Sequence, residues 1–204
     1  MIDRDRYFSL RDPSAFPVWQ KATVGIAGAG GLGSNIAISL ARAGIGTLVI
    51  ADFDLVSLEN LNRQQFNLDQ VGRPKVHALA TNILAFNPFI NLVLHQQKVS
   101  PANLEELFGS CDLLLEAFDQ AGEKEMLIET WCTRYPKRHL IAASGVSGFG
   151  RGEEIKIEHF GYLHIVGDGH SELLEGISPL APRVAVVANL QANLALELLV
   201  KNYD

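Results

Sequence analysis

The order of apolar runs and helical patterns in this 204-residue chain predicts an α/β fold. We expect a Rossmann-like, doubly wound, mostly parallel sheet with helices on both faces. A glycine-rich turn follows the first strand-like run, short apolar runs then alternate with helical patterns, and a long apolar helix closes the chain. One domain over residues 1–204 is the expected organisation, with residues 1–20 as a polar N-terminal lead-in.

The strand-like runs are short and mostly apolar, which is typical of strands that are covered on both faces. Five of them are predicted at Thr23–Ala27, Thr47–Ala51, Ile90–Leu94, Asp112–Ala117 and His139–Ala143. The pattern changes after Gly145, and two late strands are predicted at Glu154–Glu158 and Tyr162–Val166.

The helical patterns lie between these runs and after them. They are predicted at Leu32–Ala43, Pro74–Phe86, Ser100–Phe108, Gly122–Arg134 and Pro182–Lys201. Gly44 ends the first of them, and Ser100 is expected to cap the third, with Pro101 in its first turn. Short connections between alternating strands and helices favour a parallel sheet.

The glycine turn is the most informative motif in the chain. Gly28, Gly30 and Gly33 have the G-x-G-x-x-G spacing, directly after a strand and before a helix. Gly28 allows the tight turn, Gly30 lets backbone approach a phosphate, and Gly33 lets the helix pack closely on the strand. The context favours a nucleotide site, although glycines used for packing alone remain the alternative.

Composition excludes several classes of protein. The formal net charge of −6 argues against nucleic acid as the main partner. The start of the chain has no signal-peptide core, and no apolar run approaches the roughly 18 residues that span a bilayer. The two cysteines, Cys111 and Cys132, do not have metal-ligand spacing. We expect a cytoplasmic protein without a membrane partner.

Acidic residues follow the second predicted strand. Asp52 lies about twenty residues beyond the glycine turn, where a carboxylate accepts hydrogen bonds from ribose hydroxyls. A solvated loop acid is the alternative interpretation. Asp54 either contributes to the same site or organises the loop.

Basic residues beyond this point indicate a triphosphate rather than a dinucleotide. Arg63 can bind phosphate bidentately, and Lys75 follows Pro74 near a helix start, where it acts as a point charge. Asp119 follows the fourth strand and could hold Mg²⁺ against a phosphate, or cap the next helix, or do both. Taken together, these residues shift the prediction from NAD to ATP.

Five motifs in this order resemble the ThiF/MoeB/HesA family, the bacterial relatives of the ubiquitin-activating enzymes. They are Gly28-Ala-Gly-Gly-Leu-Gly-Ser34, Asp52-Phe-Asp54, Asn60-Leu-Asn-Arg-Gln64, Gly72-Arg-Pro-Lys75 and Asp119. The resemblance runs from about Lys21 to the C-terminal helix. The late segments Val166-Gly-Asp-Gly169 and Pro179-Leu-Ala-Pro-Arg183 are similar to the compact ThiF branch, which is associated with thiamine synthesis.

The resemblance implies an activity and a set of roles. Family members use ATP and Mg²⁺ to adenylate the C-terminal glycine carboxylate of a small ubiquitin-fold sulfur carrier that ends in Gly-Gly, and they form homodimers. Carried over by residue, the roles are phosphate binding by Gly28, Gly30 and Gly31, helix packing by Gly33, ribose binding by Asp52 with Asp54 beside it, phosphate contacts from Asn60, Arg63, Gln64 and Lys75, and Mg²⁺ binding by Asp119. Catalysis would rest on Arg63, Lys75 and Asp119.

The chain also departs from the family. Fuller members carry two C-x-x-C pairs for structural zinc and often a cysteine in the later crossover segment, whereas this chain has no cysteine after Cys132. We therefore expect neither zinc nor thioester chemistry on this chain. The family's N-terminal arginine, thought to reach the partner subunit's ATP, has no clean match here, and Arg11 is chosen for it.

Two other functions stay open from the sequence. An NAD(P)-dependent oxidoreductase fits the glycine turn and Asp52, but only 61 residues follow the fifth strand, too few for a usual substrate domain. A non-catalytic nucleotide-binding module fits the missing thiol, but not the retained phosphate-binding residues. The carrier, the sulfur donor and the oligomeric state cannot be deduced from the sequence.

Overall fold

A computed structural model describes residues 2–171 and 179–201. In this part of the chain a seven-stranded sheet has the order β3-β2-β1-β4-β5-β7-β6. The strands are β1 Thr23–Ala27, β2 Thr47–Ala51, β3 Asn91–His95, β4 Leu113–Glu116, β5 Leu140–Ala143, β6 Lys156–Phe160 and β7 Leu163–Gly167. All neighbouring pairs are parallel except β6 and β7. The predicted doubly wound, mostly parallel sheet is confirmed.

The described helices lie before, between and after the strands. They are α1 Arg4–Phe8, α2 Phe16–Trp19, α3 Gly31–Ala43, α4 Lys75–Leu84, α5 Leu104–Phe108, α6 Ala121–Arg134 and α7 Ala181–Lys201. Short 3₁₀-helices at Leu58–Asn62 and Leu68–Gln70 shape the long loop between β2 and α4. The predicted lead-in thus forms two short helices.

Two apolar clusters cover the two faces of the sheet. One contains buried side chains of α3, α4 and α7, such as Ile36, Leu79 and Val187. The other contains those of α5 and α6, with Phe108 and Trp131 at its centre. Alternate residues of each central strand enter opposite clusters, because successive side chains of a strand point to opposite faces. Both faces are therefore buried, and ligands can approach the central strands only at their ends.

The third helix was predicted to begin at Ser100, and this prediction is wrong. Helix α5 begins at Leu104, and Ser100 to Asn103 form a turn instead. The backbone N–H of Ser100 donates to Asn103 Oδ1 at 2.8 Å, and the Ser100 hydroxyl donates to the same oxygen. The Ser100 oxygen is therefore not the cap acceptor, since an asparagine side chain closes the turn first.

Smaller differences shift the ends of other elements. Strand β4 ends at Glu116 rather than Ala117, so Asp119 lies in the loop before α6. Gln120 is the N-cap residue of α6. The alternative that Asp119 caps this helix is therefore wrong. The late strand β6 begins two residues after its predicted start, at Lys156.

Helix α7 is long and apolar, and among the described residues it passes a length and hydropathy test for a membrane span. This outcome differs from the expectation that no apolar run comes near that length. Half of its most apolar 18-residue window is buried. It packs along α3 and carries the buried polar residues Arg183 and Gln191, as a core helix does.

Candidate active site

A cavity of about 1130 Å³ opens at the carboxyl edge of the parallel strands. This edge is where open α/β sheets bind ligands. Most of the predicted site residues line it, namely Gly28, Gly30, Gly31, Asp52, Asp54, Arg63, Gln64, Lys75 and Asp119. We call the side with Asp52 and Lys75 the β1–β2 half, and the side with Lys124 and Ser144 the β4–β5 half.

The three spaced glycines of the turn have different reasons to be glycine. Gly28 has a φ of +101°, and a Cβ there would lie 2.8 Å from the carbonyl oxygen of Ala117. A Cβ at Gly33 would lie 1.9 Å from the Gly28 carbonyl oxygen, so close packing of α3 on β1 requires glycine. At Gly30 an added Cβ would meet only Gln64, at 3.8 Å. Packing within the described residues therefore does not explain Gly30, whereas a ligand against its backbone does.

The carboxylate of Asp52, which follows β2, holds the glycine turn by hydrogen bonds. Its Oδ2 accepts from the backbone N–H of Ala29 and its Oδ1 from that of Asp54, both at 2.7 Å. Burial raises the pKa of Asp52, while the nearby Lys75 ammonium acts in the opposite direction. Each oxygen keeps a free lone pair for a ribose hydroxyl.

Lys75 lies at the first residue of α4 and is only 6% exposed. Its Nζ forms an ion pair with Asp54 Oδ2 at 2.7 Å, and its backbone N–H donates to the Asp54 carbonyl oxygen at 2.9 Å. The side chain of Asp54 is 49% exposed. Asp54 thus holds the lysine at the cavity wall while remaining within reach of water.

The motif residues of the β2–α4 loop separate into two groups. Arg63 and Gln64 line the cavity, and the buried Gln64 Oε1 has no hydrogen-bond partner in the described residues. An unpaired buried oxygen on a side chain that lines a cavity is the kind of atom that a ligand donor satisfies. Asn60 does not line the cavity, and its Oδ1 accepts from the backbone N–H of Ser57 at 3.1 Å. Asn60 therefore shapes the loop that presents Arg63.

Asp119 lies in the loop after β4, exposed and facing the cavity. Its carboxylate makes no hydrogen bond or ion pair with any residue in 2–171 or 179–201. A carboxylate at the cavity without a partner among the described residues suits a hard cation such as Mg²⁺.

Two residues that the sequence analysis did not single out, Glu116 and Lys124, form an ion pair in the β4–β5 half. Glu116 is fully buried at the end of β4, and its carboxylate pairs with Lys124 of α6. It also accepts from the backbone N–H groups of Phe118 at 2.7 Å and Ala143 at 3.3 Å. Burial raises the pKa of Glu116, and the Lys124 ammonium opposes this shift. The signal in the sequence is a lone glutamate at the end of the apolar run Leu113–Leu115.

A buried ion pair fixes the turn after β7, which forms another part of the cavity rim. Asp168 pairs with Arg183 of α7, and the side chains are 0% and 4% exposed. Burial opposes ionisation of Asp168, but the backbone N–H groups of Ser171 and His170 hold its pKa at about 2. The Arg183 Nη1 also donates to the Gly150 carbonyl oxygen at 2.6 Å. Arg183 thus joins α7 to the turn after β7 and to the loop at Gly150.

Arg11 lies away from the cavity. Its Nη2 donates to the Arg42 carbonyl oxygen at 2.9 Å, in the last turn of α3. Because α3 begins at the glycine turn and rises about 1.5 Å per residue, Arg42 is about 16 Å along the helix from Gly31. Arg11 therefore does not enter the site of its own chain.

Neither cysteine lies at the cavity. Cys111 is buried against α5, and burial raises the pKa of its thiol to about 12. Cys132 lies on α6, and burial raises the pKa of its thiol as well. Neither thiol is among the cavity-lining residues.

Comparison with known proteins agrees with this geometry. The ThiF family profile matches residues 3–203. The chain belongs to the ThiF family. The resemblance drawn from the five motifs is thereby confirmed, and it extends over almost the whole chain.

Among curated relatives, the ThiF-family chain is similar to sulfur-carrier adenylyltransferases. The sulfur carrier protein ThiS adenylyltransferase of Escherichia coli (strain K12) is 38% identical over 158 residues, which cover 74% of this chain and 62% of the relative. The probable adenylyltransferase/sulfurtransferase MoeZ of Mycobacterium tuberculosis is 42% identical over 109 residues, which cover 53% of this chain and 28% of MoeZ. The chain thus spans only part of these relatives.

Solved structures show the same fold at lower identity. The tRNA N6-threonylcarbamoyladenosine dehydratase TcdA of E. coli, solved in complex with AMP, superposes with a TM-score of 0.85 at 22% identity. The match covers 97% of this chain and 94% of TcdA. A TcdA complex with ATP superposes with a TM-score of 0.84. The described residues therefore have the same fold as these solved structures.

Proposed function

We propose that this chain is an ATP-dependent adenylyltransferase for a ubiquitin-fold sulfur-carrier protein that resembles ThiS and ends in Gly-Gly. The observation that carries the proposal is the joint position of the open Gly30 backbone, Lys75, Arg63 and Asp119 around one cavity. The similarity to the ThiS adenylyltransferase of E. coli supports the same assignment. A role in thiamine thiazole synthesis follows from this choice of carrier.

ATP fits the β1–β2 half by its chemistry. Asp52 offers acceptor lone pairs to ribose hydroxyls, and Gly30 offers bare backbone to phosphate. Lys75 and Arg63 supply positive charge from two directions. The Gln64 side chain also lines the cavity, and its Nε2, the atom nearest Gly30, can donate to a phosphate oxygen. NAD would use the same turn, but it would not require two cations together with the free carboxylate of Asp119.

The reaction needs charge compensation and positioning more than a protein nucleophile. A carboxylate oxygen of the carrier's terminal glycine attacks the α-phosphorus, the bond to the bridging oxygen breaks, and pyrophosphate leaves. Both reactants are anionic, so Lys75 and Arg63 lower their repulsion and stabilise the charge on pyrophosphate. Asp119 would hold Mg²⁺, which would add positive charge beside the phosphates.

The product is a carrier–AMP mixed anhydride, and this chain offers no thiol to receive it. Cys111 and Cys132 both lie away from the cavity. A sulfur nucleophile from outside residues 1–204 would therefore consume the anhydride. Homodimerisation would bring Arg11 of one copy toward the site of the other, as in the family.

The test is pyrophosphate exchange into ATP with Mg²⁺ and purified carriers. The E. coli ThiS carrier and any Gly-Gly protein encoded near this gene are the first choices, with the same carriers lacking the last glycine as controls. We expect exchange only with an intact terminus. Absence of exchange with every carrier, together with ATP binding, would favour the non-catalytic module.

Two further arms separate the remaining functions. Tight NAD binding without ATP binding would favour the oxidoreductase. Exchange or ATP cleavage that depends on tRNA, and not on a carrier, would place the chain beside TcdA instead. The net charge of −6 argues against this last outcome.

A further inference from the structure

A lysine of the cavity has no role in the nucleotide contacts described above. Lys124 lies in the second turn of α6, its side chain is 24% exposed, and it lines the cavity. Its Nζ pairs with the fully buried carboxylate of Glu116 and lies 3.5 Å from the carbonyl oxygen of Phe118. A lysine ammonium has three N–H donors, so one remains for a group inside the cavity.

Glu116 fixes where this donor points. Its carboxylate is the meeting point of the end of β4, the end of β5 and α6, through Phe118, Ala143 and Lys124. A carboxylate at 0% exposure has to stay paired, because an unpaired buried charge is strongly destabilising. Lys124 is therefore held on the cavity wall, whereas an exposed lysine would sample many rotamers.

The order of the strands separates Lys124 from the nucleotide contacts. Asp52 follows β2, and the glycine turn follows β1, next to it. Lys124 lies above β4 and β5, on the other side of the turn, with Ser144 and Gly145 on the same wall. A nucleotide with its ribose at Asp52 and its phosphates at the turn leaves the β4–β5 half for the acceptor.

We infer that Lys124, positioned by Glu116, binds the terminal carboxylate of the acceptor and holds it beside the α-phosphate. This inference rests on the proposed function and names the residue that recognises the attacking group. The Lys124–Glu116 pair is neutral as a whole and has one donor left. It suits a monoanionic carboxylate better than a triphosphate, which needs several cations.

The experiment varies carrier and ATP independently in the exchange assay. We expect Lys124→Ala to raise the KM for the E. coli ThiS carrier at least tenfold and to change the KM for ATP less than twofold. Lys124→Arg keeps a cationic donor and should recover most of the carrier affinity. Lys156→Ala is the matched control, because Lys156 pairs with Glu158 at 2.9 Å on β6, outside the cavity.

Glu116→Gln tests the positioning role, since it keeps the shape and removes the charge that holds Lys124. The same selective rise in carrier KM is expected. If this variant unfolds at a much lower temperature than the wild type, a second measurement uses the wild-type protein. Acetic anhydride acetylates Lys124, and peptide mass spectrometry measures the rate. Intact carrier should slow it, while ATP alone or carrier lacking its last glycine should not.

The outcomes separate this inference from the proposed function. Wild-type exchange with an unchanged carrier KM in Lys124→Ala would overturn the inference alone. Protection of Lys124 by ATP alone would assign the lysine to phosphate and overturn it as well. Absence of wild-type exchange with every carrier would overturn the proposed function, and the carboxylate assignment with it.

Discussion

The two halves of the cavity are built by different means. The β1–β2 half depends on backbone, with Gly28 and Gly33, which admit no Cβ, and with one carboxylate that accepts from two N–H groups. The β4–β5 half depends on buried ion pairs, Glu116 with Lys124 and Asp168 with Arg183. The first half is rigid through short-range geometry, and the second through charges that only the folded chain brings together.

The largest effect is expected where the backbone is most crowded. Gly33→Ala places a methyl group 1.9 Å from the Gly28 carbonyl oxygen, so α3 has to move off β1. We expect a loss of about 3 kcal/mol or more in the free energy of unfolding, or no folded protein. Urea denaturation measures it.

Gly30→Ala is the matched control in the same turn. Its Cβ would meet only Gln64, at 3.8 Å, so we expect the free energy of unfolding to change by less than about 1 kcal/mol. Nucleotide binding should nevertheless weaken. Equal destabilisation by the two variants would contradict the division of roles within the turn.

The next effect tests the ion pairs of the other half. Arg183→Met removes the arginine partner of Asp168, whose carboxylate is 0% exposed and keeps only its contacts with His170 and Ser171. Breaking a buried pair in this way costs about 3–5 kcal/mol. Thermal and urea denaturation should show the loss, and Asp168→Asn added to Arg183→Met should recover part of it.

Lys156→Met in the exposed pair with Glu158 is the control for this change. It should alter stability by no more than about 1 kcal/mol. A similar loss from the exposed and buried pairs would mean that burial does not set the strength of these contacts.

How much of this could be predicted depends on whether the signal is local. The glycine turn, Asp52 and Lys75 lie at fixed spacings along strand–turn–helix units, so sequence reasoning found them. Glu116 and Lys124 were missed, because their pairing depends on how α6 packs beside β4. The prediction that Ser100 caps a helix is wrong because the Asn103 side chain accepts from the Ser100 N–H and closes a turn there.

The same limit applies to the position of the more distant site residues. Arg11 was assigned to the site from an N-terminal pattern, yet it contacts the far end of α3. Asn60 belongs to a family motif, but in this chain its Oδ1 accepts from the backbone N–H of Ser57 within the loop. A motif identifies which residues matter, whereas packing decides which of them face the ligand.

We expect Lys75→Ala and Asp119→Ala to reduce activity and to leave the fold intact. Asp54, the partner of Lys75, is half exposed and can be solvated after the change, and Asp119 is exposed. We expect carrier-dependent exchange to fall at least about 100-fold in each, since a lost charge contact to the transition state costs about 3 kcal/mol. Unchanged circular dichroism is the control. Near-normal exchange would refute that residue's role.

The smallest effect concerns the edge of β5 and β7 opposite the cavity. Burial lowers the pKa of His164 to about 4, and the neighbouring His139 and His159 add to the shift. An unfolded histidine titrates at about 6.5, so between these values the unfolded chain binds a proton that the folded chain does not. The free energy of unfolding should therefore fall as the pH decreases from about 6.5 to about 4, by about 2 kcal/mol.

Urea denaturation at several pH values measures this effect in the wild type and in His164→Gln. The variant should show a flatter pH dependence over that range. His159→Gln, at the exposed end of the histidine row, should retain most of the slope. A wild-type slope that survives in His164→Gln would assign the effect to other groups.

The ion pair of Lys75 with Asp54 has a consequence for turnover. In a site that takes up phosphate, the ammonium has to exchange one anion for another, and Asp54 is the anion it holds between cycles. The affinity of Lys75 for phosphate is therefore the difference between its attraction to phosphate and its attraction to Asp54. In the proposed reaction, Asp54 would pair with the ammonium again when pyrophosphate leaves, so the buried Lys75 would keep an anionic partner throughout the cycle. The affinity of the site for phosphate would be lower than without Asp54, and the release of pyrophosphate would be easier.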